Sequence, residues 1–169
     1  MDALDILRDL PYRPRAAAAA LREQLNPVSL NAHPGGHDNS VAWLLWHTGR
    51  EIDVQLADLT GDEQLWVARG FDQRFDLGEA GTAVGYGHTS AEARRIIIED
   101  SDALLEYVDA TLAAVDDYIE MLTAPDLEDV IDEQWDPPVT RGARLVSILD
   151  DPIQHLAQAA YARGMPLRE

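Results

Sequence analysis

The stretch Ser40-Val-Ala-Trp-Leu-Leu-Trp-His-Thr-Gly-Arg-Glu-Ile-Asp-Val-Gln-Leu-Ala-Asp-Leu-Thr-Gly61 decides the fold. Val41, Leu44, Leu45, Ile52, Leu56 and Leu59 recur at helical spacing, not at the alternation of a strand. Asn39 or Ser40 caps the start, because a short polar side chain accepts from the first free backbone N–H groups. Thr60-Gly61 ends it, since glycine adopts the left-handed conformation that closes a helix.

The same reasoning extends outward from this second helix. A first helix is expected from about Arg13 to Leu25, ended by Asn26-Pro27, with Asp2 to Leu10 as an earlier turn or short helix. Asn26 to Asp38, with its prolines and glycines, reads as loop. Asp62 to Gly70 reads as a short extra turn, and Phe71 to His88 as a long loop. A third long helix is expected from about Ser90 to Leu122, with a break near Glu99 to Ser101. Its apolar stripe would be Ile97, Leu104, Leu105, Val108, Leu112, Val115, Ile119 and Leu122. Ala124 to Thr140 reads as irregular, with no convincing strand alternation, and a final helix is expected from Gly142 to Arg163, stopping at Gly164. Four long helices joined by uneven loops predict an all-α four-helix bundle, a single domain over residues 1–169.

Composition narrows the function. The 31 acidic residues face only 13 basic ones, all arginine, for a net charge of −18. Such a surface repels phosphate backbones and anionic headgroups, which argues against nucleic-acid and membrane-surface roles. With no cysteine the chain has no thiolate ligand or thiol nucleophile of its own, so any sulfur chemistry must come from a ligand. Neither a basic leader followed by an apolar core nor a bilayer-length apolar run is visible, and a cytoplasmic location is expected.

The chemistry gathers in Asp151-Pro-Ile-Gln-His155-Leu-Ala-Gln158. On a helix, positions 151, 155 and 158 lie on one face, where a carboxylate, an imidazole and an amide can converge. His47 closes an apolar run on the second helix. His47, Asp151 and His155 together would form a three-ligand metal site with open positions. Each has a plainer reading. His47 and His155 can be hydrogen-bonded core residues, and Asp151 before Pro152 can be the N-cap of a separate helix. Glu51, one turn beyond His47, is a candidate to orient that imidazole. Gln158 and Arg163 are candidates to bind a cofactor or substrate, as is Arg141, although surface pairing explains an arginine as well. His88 is a candidate to close over a pocket, and His33 and His37 offer a remote second metal site. Trp43, Trp46, Trp66 and Trp135 are expected in the core or a pocket wall.

Residues 39–47, Gly85-Tyr-Gly-His-Thr89, Glu133-Gln-Trp-Asp-Pro-Pro-Val-Thr140 and residues 144–164 resemble, in combination, an actinobacterial branch of the DinB-like superfamily of metal-binding four-helix bundles. The resemblance spans nearly the whole chain. It implies a divalent metal, zinc first and nickel, iron or manganese otherwise, on His47, Asp151 and His155. Members include mycothiol-dependent maleylpyruvate isomerase and mycothiol or bacillithiol transferases. The resemblance therefore implies a metal-dependent transferase or isomerase that uses a mycothiol-type thiol on a small electrophilic substrate. A non-catalytic metal- or ligand-binding protein and a metal-assisted hydrolase are the alternatives, and a homodimer is compatible with the fold. Bacterial DinB proteins usually carry histidine at the position of Asp151, whereas the maleylpyruvate isomerase branch carries a carboxylate. Glycine commonly precedes the glutamine at the position of Ala157.

Overall fold

The computed structural model describes residues 1–166. In chain order it contains α1 (Ala3–Asp9), α2 (Tyr12–Leu21), α3 (Pro27–Asn31), α4 (Val41–Thr60), α5 (Leu65–Ala68), α6 (Phe71–Phe75), α7 (Ser90–Ala93), α8 (Ser101–Glu120), β1 (Val130–Asp132), β2 (Val139–Thr140) and α9 (Arg141–Gly164). Helices α2, α4, α8 and α9 form the bundle. α4 packs against α8 and α9, and α2 closes the ring by packing against the same two. The fold is all-α, as the apolar periodicity predicts, apart from the small antiparallel hairpin β1–β2 that leads into α9. Strands of two and three residues are too short for a period of two to register in a sequence.

The boundaries of α4 follow from local chemistry. The Ser40 hydroxyl accepts from the Trp43 N–H at 3.1 Å, and Gly61 closes the helix at φ 77°. Its N-terminal half is buried on every side, with Val41, Ala42, Leu45, Trp46 and Ile52 wholly inaccessible, so α4 forms the centre of the domain. Gly49 is required there by packing. A Cβ at that position would lie 2.5 Å from the Tyr107 ring of α8.

Two sequence expectations are corrected. The expected third helix is interrupted near the anticipated place, but of the stretch before Glu99 only α7 is helical. After α7 the chain is extended, and α8 begins only once Asp100 caps it by accepting from the Ala103 N–H. Ile96 and Ile98 are buried while Ile97, assigned to the helical stripe, is 59% exposed. That is the in-out-in pattern of extended backbone. The Asn31 side chain supports it by donating to the Ile98 carbonyl at 2.7 Å and accepting from the Ile98 N–H at 3.0 Å. A run of three isoleucines fits either period, and this tertiary clasp selects the extended form. Trp135, expected in the core or a pocket wall, is 65% exposed near the hairpin, whereas Trp43, Trp46 and Trp66 are buried.

The connection from Gly61 to α7 holds α5 where a short turn was expected and α6 where loop was expected, and a buried polar cluster ties it to α4. The Asp53 carboxylate accepts from the Leu65 and Trp66 N–H groups at 2.8 and 2.7 Å and from the Tyr107 hydroxyl at 2.8 Å. It thereby satisfies the free N–H groups at the start of α5 and joins three elements at one residue. Burial and the neighbouring Asp53 charge push the Tyr107 hydroxyl well above its ordinary pKa, so it remains a donor.

Candidate metal centre

Antiparallel packing of α4 on α9 brings His47 opposite Asp151 and His155. One ligand-type atom from each lies within 4.8 Å of the others, and among the described residues no other His, Asp and Glu side chains gather in this way. His33 and His37 instead interact within their own loop, where His33 Nδ1 sits 3.0 Å from the His37 carbonyl.

Each side chain is held by its element. α9 runs unbroken from Arg141 to Gly164 with Thr140, not Asp151, as its N-cap, and Pro152 lies inside the helix. The capping reading of Asp151 is therefore excluded. His47 Nδ1 lies 2.5 Å from the Val84 carbonyl. A carbonyl can only accept, so the proton is on Nδ1 and Nε2 keeps its lone pair for a ligand role. Glu51, the residue expected to orient this ring, lies farther off, its carboxylate 4.0 Å from Nδ1. The loop carbonyl holds that position. His155 repeats the arrangement: Nδ1 sits 2.9 Å from Gln158 Oε1, while Nε2 faces Asp151 Oδ1 at 3.3 Å. The Trp43 ring stacks on His47 at 4.6 Å between centroids and meets His155 edge-on.

The donor set suits a divalent ion. With Nδ1 of both imidazoles engaged, Nε2 is the ring atom left to serve an ion, as in metal-binding histidines. Asp151 Oδ2 is buried with no hydrogen-bond partner. A buried carboxylate oxygen left without a donor is costly, and a cation at this point would satisfy it. Glu51, half-buried, adds a second carboxylate nearby. Burial and the Asp151 charge raise its pKa.

A family model for the DinB superfamily matches residues 12–159. The chain belongs to this superfamily. A crystal structure described as that of a conserved protein from Enterococcus faecalis superposes on this DinB protein with a TM-score of 0.87. The two share 32% identity over 96% of each chain. No curated protein matches the chain.

Around the DinB site the remaining candidates separate. Gln158 joins His155 in lining a cleft of about 640 Å³, whose other walls include Leu44, Asn39, Tyr161 and Met165. Arg163 points elsewhere and donates through Nε to the Gln24 carbonyl. Arg141 is engaged by Asp129, Tyr118 and the Asp126 carbonyl near the hairpin. His88 lies over the site's outer side. It stacks on Trp46 and accepts through Nδ1 from the Trp43 indole N–H at 3.2 Å. Sequence reasoning missed Val84, because a carbonyl has no residue-type signal, and Arg50, which reads as an ordinary surface charge.

The two imidazoles differ in proton affinity. Burial pushes His47 below its ordinary value, against the hydrogen bond to Val84. Burial pulls His155 down too, but the hydrogen bonds it donates to Asp151 and Gln158 and the charges of Asp151 and Glu51 outweigh it and hold this ring above its ordinary value. An entering metal must displace the His155 proton. Affinity should therefore fall as pH drops through the raised His155 value, by roughly tenfold per pH unit, and level off above it. His47 adds a second proton, and a steeper slope, only at lower pH. Metal titrations between about pH 5 and 8 measure this, and a flat profile would contradict the ligand assignment.

Proposed function

We propose that this protein is a metal-dependent enzyme of the mycothiol-using DinB branch, transferring or isomerising a small electrophilic substrate with a low-molecular-weight thiol as cosubstrate. The observation that carries the reading is that the group of three ligand-type side chains reaches a cleft through His155, which lines it beside Gln158. Three protein ligands leave coordination positions open, which is the pattern of catalytic and not structural sites. Zinc is the first choice, with nickel, iron and manganese also suited to two imidazoles and one carboxylate. When bound, the ion supplies a Lewis acid that lowers the pKa of a thiol or water entering its open positions.

The chain's own residues supply the rest. His47 would offer its free Nε2, His155 would offer Nε2 once its proton is displaced, and Asp151 would balance half the charge of a divalent ion. Gln158, while holding His155, presents its amide beside the cleft, where it can orient a polar group of the substrate. Leu44, Tyr161, Ala162 and Met165 give the cleft an apolar wall against which the carbon frame of a ligand can pack. Because the chain contains no cysteine, the sulfur nucleophile must arrive with the cosubstrate.

The test uses cobalt-loaded protein. Mycothiol, or a related small thiol, should add a sulfur-to-metal charge-transfer band to the spectrum. The same thiol should then support a protein-dependent reaction of an electrophile, being consumed stoichiometrically where it is transferred and recovered unchanged where the substrate is isomerised. His47→Ala should remove both signals. A loaded site whose spectrum no thiol alters, and which catalyses no thiol-dependent reaction, overturns the reading in favour of a hydrolytic or purely binding role.

A further inference from the structure

α4 presents Trp43, Trp46, His47, Arg50 and Asp53 at helical spacing along one stripe, and the segment Ala83 to His88 lies across it. That segment carries the Val84 carbonyl on which the His47 Nδ1–H depends. Its placement is set from both sides. Downstream, the Trp43 indole holds His88, and the His88 N–H closes a turn on the Gly85 carbonyl at 3.1 Å. Upstream, Arg50 donates through Nε to the Ala83 carbonyl at 3.2 Å, one residue before Val84.

Arg50 is only 3% exposed, although arginine is almost always a surface residue. Its guanidinium also donates to Gln64 Oε1 at 3.0 Å, lies 3.9 Å from Asp53 and covers the Trp66 ring at 4.8 Å. These partners lock the fork in one orientation, aimed at a backbone carbonyl beside the site. Gly85 completes the fit at φ 100°. A Cβ there would stand 2.8 Å from His47 Nδ1 and 3.0 Å from Trp46, so the backbone can approach the imidazole only without a side chain.

We propose that Arg50 is a positioning residue for the metal centre: by fixing the Ala83–Gly85 backbone it holds the Val84 carbonyl against His47 and selects the tautomer that leaves Nε2 free to ligate. The proposal rests on the reading of His47, Asp151 and His155 as metal ligands. Arg50 touches neither metal nor substrate, and its effect passes through one carbonyl. Loss of such an outer contact typically costs metal affinity about 10- to 100-fold.

The test reads the tautomer and the affinity separately. In metal-free protein labelled with nitrogen-15 in histidine, proton–nitrogen correlation spectra report which ring nitrogen of His47 carries the proton, the signal being assigned by its loss in His47→Ala. Wild-type protein should show the proton on Nδ1. Arg50→Met should give a mixture of tautomers and a cobalt affinity lowered roughly 10- to 100-fold with one ion still bound per chain. Arg50→Lys keeps the cation beside Asp53 but lacks the Nε donor to Ala83. It should show the same tautomer change, and it decides the matter alone if Arg50→Met does not fold. A purely structural role would lower stability while leaving the tautomer unchanged. With wild-type protein binding cobalt, an unchanged tautomer and affinity in the folded Arg50 variants overturn the positioning role alone. Wild-type protein that takes up no cobalt overturns the metal reading, and the positioning role with it.

Discussion

His155→Ala should lower divalent-metal affinity by roughly 100- to 1000-fold, while His37→Ala leaves it unchanged. The magnitude follows from sharing the ~10–16 kcal/mol of a four-ligand zinc site among its ligands and converting at about 1.4 kcal/mol per factor of ten. The truncation removes a ligand nitrogen and also frees Asp151 and Gln158 from their imidazole partner. His37 lines the same cleft but lies outside the converging group. It therefore controls for general perturbation. Asp151→Asn makes the complementary test. The residue sits mid-helix with Thr140 as the cap, so the change should weaken metal binding without shortening α9. Calorimetric titration of metal-stripped protein, with circular dichroism for helix content, measures both. Equal affinities for wild type and His155→Ala would refute the site.

Asp53→Ala should destabilise the metal-free fold by about 3–5 kcal/mol, a large share of a domain's total stability. The carboxylate serves two backbone N–H groups and one hydroxyl, all enclosed, and is the acidic neighbour of the buried Arg50. Its removal leaves these donors without an acceptor and a guanidinium without a counter-charge. Asp53→Asn retains an acceptor oxygen for the backbone of α5 and should lose distinctly less. Urea denaturation of the two variants gives the comparison. A loss below about 1 kcal/mol for Asp53→Ala would mean that water or side-chain rearrangement replaces the carboxylate. The connection after α4 would then be less firmly tied than its hydrogen bonds indicate.

The metal group and the Asp53 cluster differ in how far each could be read from sequence. Asp151 and His155 are on one helix face by spacing alone, and their i,i+4 relation survives intact in α9. His47 could be proposed because it interrupts an apolar run, yet its distance to the other two depends on antiparallel packing of helices about a hundred residues apart. Asp53, Arg50 and Tyr107 gave no warning. Each is a common helix-surface residue by type, and their burial results from the connection after Gly61 folding back over α4.

By itself the sequence determined the main helices and most of their ends. Apolar period, the Ser40 cap and the stop at Gly61 act within a few residues, so the information is local. It also determined the strongly acidic character and the lack of any protein thiol. The tertiary structure alone decided the rest. It determined that Ile96 to Ile98 is extended, because Asn31 satisfies that backbone from a distant helix. It determined that Asp151 joins His47 and His155 instead of capping a helix, because α9 continues through Pro152. And it determined that a loop carbonyl, not Glu51, orients His47, because Gly85 lets the chain pass within contact of the ring. For the isoleucine segment and for His47 the deciding partner lies far away along the chain, and the choice was made by which donor and acceptor the fold brought within hydrogen-bond distance.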